Sequence, residues 1–240
     1  MIKRSLKDSV VKKNLKKLRK FYKKLPETIG CMECLSKGED GCGAWCCKMQ
    51  CPAFLYIEFL NTWNYIINSW KLDDIIELIE KCLRTHMSNA VIKGCVLWDS
   101  ETHLCRCHNA RPFNCYIYGI TPNSEILPRI EMLRKKYNDP NGYVFKDQCD
   151  KVSVKDGSDV ISTDDWWREI NFLEQNLGIK EDEITNDDYG TYLTFHDHLL
   201  LHICPEQTLA NLPKDEAVLK SFMSVVKKNI NSSLNQNGKE

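Results

Sequence analysis

Sulfur dominates the chemistry this chain can do. Thirteen of its 240 residues are cysteine, and ten of them fall in two clusters. The first reads Cys31-Met-Glu-Cys34, then Cys42-Gly-Ala-Trp-Cys46-Cys47-Lys-Met-Gln-Cys51. The second holds Cys95, then Cys105-Arg-Cys107, and closes on Arg111-Pro112-Phe-Asn-Cys115. An odd count, a long chain and no apolar leader at the N-terminus argue against a disulfide framework and for a cytoplasmic protein with reduced thiols. Reduced thiols in such number point to metal. A Cys-x-x-Cys turn directs two thiolates at one ion, and the glycines beside it permit the tight backbone this requires.

Counting ligands narrows the metal. Adjacent side chains such as Cys46 and Cys47 are expected to point apart, so one four-coordinate ion rarely takes both. Ten candidate thiols also exceed one tetrahedral site, so one or two centres are expected. Zinc usually takes two Cys-x-x-Cys knuckles and only one is present. Irregular spacing with all-thiolate ligation favours an iron–sulfur cluster, most simply [4Fe–4S], with zinc as the alternative. Arg111 suits either, because four thiolates leave a net negative charge that a guanidinium offsets while donating to sulfur.

These residues resemble a family. A Cys-x-x-Cys pair, a Cys-Cys doublet, an isolated Cys before an apolar stretch, and Cys followed by Arg-Pro-x-x-Cys are similar to the YkgJ-type cysteine-cluster (CxxCxxCC) family of zinc- or iron-chelating proteins. The resemblance covers residues 31–119. It implies ligands at Cys31, Cys34, Cys46, Cys47, Cys95, Cys105 and Cys115, with Arg111-Pro112 as the family's Arg-Pro step. The chain departs from the pattern by inserting residues 35–45 before the doublet and by adding Cys42, Cys51 and Cys107.

Other chemistry is thinner. His198 and His202, four apart, share a helix face in Tyr192-Leu-Thr-Phe-His196-Asp-His-Leu-Leu-Leu-His. With Asp187, Asp188 or Asp197 they could build a two-histidine iron site, but a half-buried histidine face beside leucines is the favoured reading. No catalytic residue is identifiable; His198, His202 and Arg111 are the candidates. Cys82, between Ile79 and Leu83, reads as a core thiol, and Cys149 and Cys204 are undecided. A phosphate-binding glycine loop, a Gly-x-Ser-x-Gly elbow, a dinucleotide fingerprint and the radical-SAM cysteine spacing are all missing.

The elements that must position these residues are mostly helices. Periodic apolar positions predict helices over about 52–70 (Pro52 in the first turn), 73–83, 127–137 (Pro128 in the first turn), 163–177, 187–203 and 213–230. Cys95 to Leu104 reads as a short hairpin around Asp99-Ser-Glu-Thr, and 138–162 as a polar loop. The expected class is mainly α with metal-organised cysteine loops, α+β being the alternative. The expected division is 1–26 as a basic arm, 27–120 as the cysteine module, 121–231 as a helical region and 232–240 as a tail.

Charge is neutral overall, with 33 basic and 33 acidic side chains, but it is not evenly spread. Residues 1–25 hold eleven Lys/Arg and one acid, Asp8, while the other 215 hold 22 basic and 32 acidic residues. Val11, Leu15, Leu18, Tyr22 and Leu25 form an apolar stripe on this arm. The arm is therefore expected to dock on the body with its lysines outward. Arginines and base-stacking aromatics are few in it, so nucleic acid is not expected as a partner. No apolar run is long enough to span a bilayer. Two function classes follow: an iron–sulfur protein with a redox or enzymatic role on an unidentified small-molecule or protein substrate, or a zinc-stabilised binding module.

Overall fold

The computed structural model of the chain describes residues 5–31, 45–49, 51–88, 90, 93–142, 149, 151–179, 193–204 and 220–224. In these it is mainly α-helical, as expected. The helices are α1 (Ser9–Tyr22), α2 (Trp45–Met49), α3 (Tyr56–Ser69), α4 (Leu72–Met87), α5 (Phe113–Ile117), α6 (Asn123–Lys136), α7 (Asp164–Gln175) and α8 (Phe195–Ile203). A 3-10 turn covers His108–Ala110, and residues 220–224 are helical.

Helix α3 is the centre. Tyr56, Ile57, Phe59, Leu60, Thr62 and Ile66 are all buried, so it is apolar nearly all round, as a helix enclosed by others must be. It packs against α1, α7, α8 and the 3-10 turn, while α4 packs against α8. Asp8 caps α1 by accepting the Val10 N–H at 2.8 Å, the usual role of an N-cap carboxylate. Val11, Leu15, Leu18 and Phe21 of α1 are buried, so the arm's apolar stripe is spent on the core. The tryptophans also pack: Phe113 meets Trp167 edge-on at 4.8 Å, and the Arg106 guanidinium sits 3.9 Å over Trp70.

Differences from the expected elements have local causes. Helix α3 begins at Tyr56, with Leu55 as N-cap, so Pro52 lies outside it. Helix α6 starts at Asn123, which leaves Pro128 in its interior, where it cannot donate to the carbonyl four residues back. The loop 138–162 contributes a strand: β1 (Thr28–Ile29) pairs antiparallel with β2 (Ser153–Val154), Thr28 opposite Val154. Gly30 follows at φ +95°, and a Cβ there would stand 1.8 Å from the Lys151 carbonyl oxygen, so only glycine fits. Of the expected last two helices, residues 187–192, 213–219 and 225–230 lie outside the described residues.

Candidate metal centre

Three chain segments deliver the thiols. Cys46 and Cys47 ride on α2, a one-turn helix whose backbone is gripped from outside: the Cys95 N–H donates to the Cys47 carbonyl at 2.7 Å. Gly94 makes that grip feasible, since a Cβ there would lie 2.6 Å from the Lys48 carbonyl oxygen. From Cys95 the chain turns back as the expected hairpin. Trp98 and Cys105 form an antiparallel bridge, with Asp99 N–H to Leu104 O and Arg106 N–H to Leu97 O both at 3.0 Å. The 3-10 turn and α5 then carry the chain to Cys115.

This last stretch is held from the protein's centre. The Thr62 hydroxyl of α3 donates to the Ala110 carbonyl at 2.6 Å. Glu58 of α3, also buried, accepts the Phe113 N–H and the Tyr22 hydroxyl, the latter at 2.7 Å. Glu58 also accepts the Leu55 N–H at 2.9 Å. Burial pushes its carboxyl up, and the Phe113 and Leu55 N–H groups pull it partly back.

The thiols brought together act on one another. Cys46 Sγ and Cys47 Sγ lie 4.0 Å apart. The hydrogen bond they share holds Cys46 down and pushes Cys47 up. Cys95 is raised first by its hydrogen bond to Cys51 and then by burial. Burial raises Cys105 to about 12, with Cys95 adding to it. Cys115 is raised by burial and then by Cys95, Cys105 and Cys46, and Cys107 by burial, Cys105 and Cys95. Cys46, Cys47, Cys95, Cys105, Cys107 and Cys115 therefore lie close enough to shift one another's ionisation, with Cys51 bonded to Cys95. Among the described residues, no three Cys, His, Asp or Glu side chains already stand at the spacing that would hold one ion. Within the group, Cys46 shares a hydrogen bond with Cys47 and Cys51 shares one with Cys95.

Cys31 is half-buried two positions after β1, and Cys34 and Cys42 lie outside the described residues. Cys149, undecided from the sequence, has its carbonyl 3.1 Å from where a Cβ on Gly119 would be. It thus lies against the turn four positions beyond Cys115. The doublet corrects one expectation. Its sulfurs stand side by side, close to the edge of about 3.8 Å that a tetrahedral site with 2.3 Å metal–sulfur bonds would need. Cys82 is fully buried in the apolar core, as expected, with Cys95 near enough to raise it further.

Arg111 stands beside the sulfurs. Its charge lowers Cys105 and Cys115, and its guanidinium lies 4.4 Å over the Tyr116 ring. It donates from Nη1 to His108 Nε2 at 2.7 Å. Burial and that neighbouring charge hold His108 down to about 4, so it accepts as neutral imidazole. Arg111 Nε is buried without a partner. No carboxylate pairs with Arg111 among the described residues.

The histidines of α8 share a face as their spacing predicts, but what they touch is aromatic and main chain. Both rings lie 5.4 Å from Phe59. His198 Nε2 bonds the Phe54 carbonyl at 2.9 Å, and burial holds His198 down to about 4. His202 Nδ1 meets the Tyr56 hydroxyl at 3.4 Å. Asp187 and Asp188 lie outside the described residues.

Sequence reasoning missed a pair of buried acids. Glu174 of α7 accepts the Tyr56 and Ile57 N–H groups at 2.7 and 2.8 Å, so it and Glu58 both cap the positive end of α3. Among the described residues, no helix is long and apolar enough to cross a membrane. No protein-family profile, curated protein or solved structure matches the chain, so the likeness to the YkgJ-type family rests on the cysteine pattern alone.

Proposed function

We propose that the chain is a cysteine-ligated metalloprotein of the YkgJ type, holding one or two iron–sulfur clusters and serving a redox or enzymatic role. One observation carries this reading. Thiols from three separate segments, Cys46/Cys47/Cys51, Cys95 and Cys105/Cys107/Cys115, meet beside a guanidinium that has no carboxylate partner among the described residues. A structural core gains little from sulfurs that repel one another's ionisation, whereas a metal removes their protons outright.

The donor set fits a metal on two grounds: it is sulfur throughout, and Arg111 Nε is a buried donor left unmatched. Cys46, Cys47, Cys95, Cys105 and Cys115 would hold the group, with Cys51 and Cys107 adjacent and Cys31 and Cys34 following from the family resemblance. When bound, an iron–sulfur cluster supplies one-electron chemistry. The chain's own part is positional. Glu58 and Thr62 fix the turn that presents Cys115, Gly94 lets Cys95 close on α2, and Arg111 offsets thiolate charge.

Anaerobic purification followed by iron and acid-labile sulfide analysis tests the reading. Brown protein with comparable iron and sulfide supports it. Colourless protein with stoichiometric zinc would replace it with a zinc-stabilised binding module.

A further inference from the structure

The outer face of α1 carries Lys12, Lys13, Lys16, Lys17, Lys20 and Lys23, all exposed. Among the described residues none of the six makes an ion pair or side-chain hydrogen bond. Two other basic side chains of this segment do reach the body: Arg19 donates to Asn61 at 3.1 Å and Lys24 pairs with Glu169 at 2.6 Å. The other face is buried, through Val11, Leu15, Leu18 and Phe21. Like charges three and four apart on a helix carry a cost in stability. Here Lys12–Lys16–Lys20 and Lys13–Lys17 repeat that cost with no acid between them. A local rule broken without compensation inside the fold points to a partner outside it.

We infer that this lysine face docks on the phosphate backbone of a nucleic-acid duplex, without reading its sequence. Lys12 to Lys23 spans about 16 Å of helix, so the face presents roughly one cation per 3 Å, near the one phosphate per 3.4 Å of a duplex strand. Lysine binds phosphate as a point charge. The scarcity of arginine and aromatic side chains bears on base recognition and single-strand stacking, which backbone docking does not use. An anionic membrane fits less well, because an interfacial helix must bury an apolar face in lipid and that face is already in the core. The inference is independent of the metal.

Fluorescence anisotropy of a labelled RNA or DNA duplex, titrated with the full chain across about 50–200 mM salt, tests it. Six phosphate contacts predict a slope of log affinity against log salt near −5, hence about a thousandfold loss over that range. Replacing Lys12, Lys16 and Lys20 together with Ala should bring the slope to about −3 and leave the circular dichroism unchanged. The pair Lys135→Ala and Lys155→Ala, away from α1, should leave the slope as it was. Failure to bind a duplex at about 50 mM salt, or a slope that the triple variant does not change, overturns the inference. So does equal binding of phosphatidylserine vesicles with the same lysine dependence.

Discussion

Glu58 and Phe113, fifty-five positions apart, are joined by a hydrogen bond from the Phe113 main chain to the Glu58 carboxylate. Through it the central helix of the fold sets the first residue of the short helix that carries Cys115. The carboxylate also receives Tyr22 OH and Leu55 N–H, so one buried side chain ties together α1, α3 and the cysteine turn.

Glu58→Gln should therefore cost more than one hydrogen bond. Its amide NH₂ would face a group of donors, leaving at least one buried N–H or O–H unmatched, at about 1–3 kcal/mol. A lowered urea midpoint with unchanged m-value is expected, together with weaker metal retention under chelator challenge. A midpoint equal to that of the parent would show that the carboxylate does not tie these segments.

The two buried acids predict a pH dependence. Glu174 is held up to about 7, by burial first, so between its unfolded range and about 7 the folded chain binds the extra proton. Stability from this group is present at low pH and lost as pH rises toward 7. His198 runs the other way: held down to about 4, it adds stability as pH rises through 6.5. Glu174→Gln should remove only the first contribution. The urea midpoint of the variant should then gain on that of the parent as pH rises from 5 to 7. Parallel profiles would refute the assignment.

Cys46→Ser and Cys47→Ser should each lower metal content, with distinct spectra, because Cys47 feels Cys95 and Cys115 while Cys46 acts on Cys105 and Cys115. Cys82→Ser should keep full metal and cost about 1–3 kcal/mol for a hydroxyl in an apolar core. Metal and sulfide counts on the three proteins, prepared without oxygen, check this. Full metal in both doublet variants with loss in Cys82→Ser would move the site onto the α3–α4 hairpin.

Metal removal should loosen the turns and spare the helices. The amides of Cys95, Arg106, Ala110 and Cys115 lie in short turns and a short helix without a sustained apolar period, whereas α1, α3 and α4 are long helices packed by periodic apolar faces. Ligand binding energy therefore stabilises the turns far more than the helices. Hydrogen exchange before and after chelation should show protection lost at those four amides and kept across α3. Equal protection in the turns would count against metal as their organiser.

The helices were legible in the sequence because a buried face repeats every three to four residues: the stripe on α1 and the run from Ile75 to Leu83 needed no partner to be seen. The cysteine clusters were legible for the same reason of local spacing. Glu58 was not, since in Tyr56-Ile-Glu-Phe-Leu it looks like an ordinary polar position, and its partners Tyr22 and Phe113 are 36 and 55 residues away. Two-residue strands such as β1 and β2 give no alternation to detect. The doublet's geometry also escaped, because the general divergence of adjacent side chains is overridden where α2 is clamped through Cys47 and Gly94.

X-ray absorption at the edge of the bound metal tests the central claim most directly. Thiolate ligation by this group predicts a first shell of sulfur alone, near 2.3 Å for a thiolate-bound ion, with a second shell of iron if a cluster is present. A first shell of nitrogen and oxygen would contradict it, and would leave the clustered thiols as bystanders to whatever ion the chain holds.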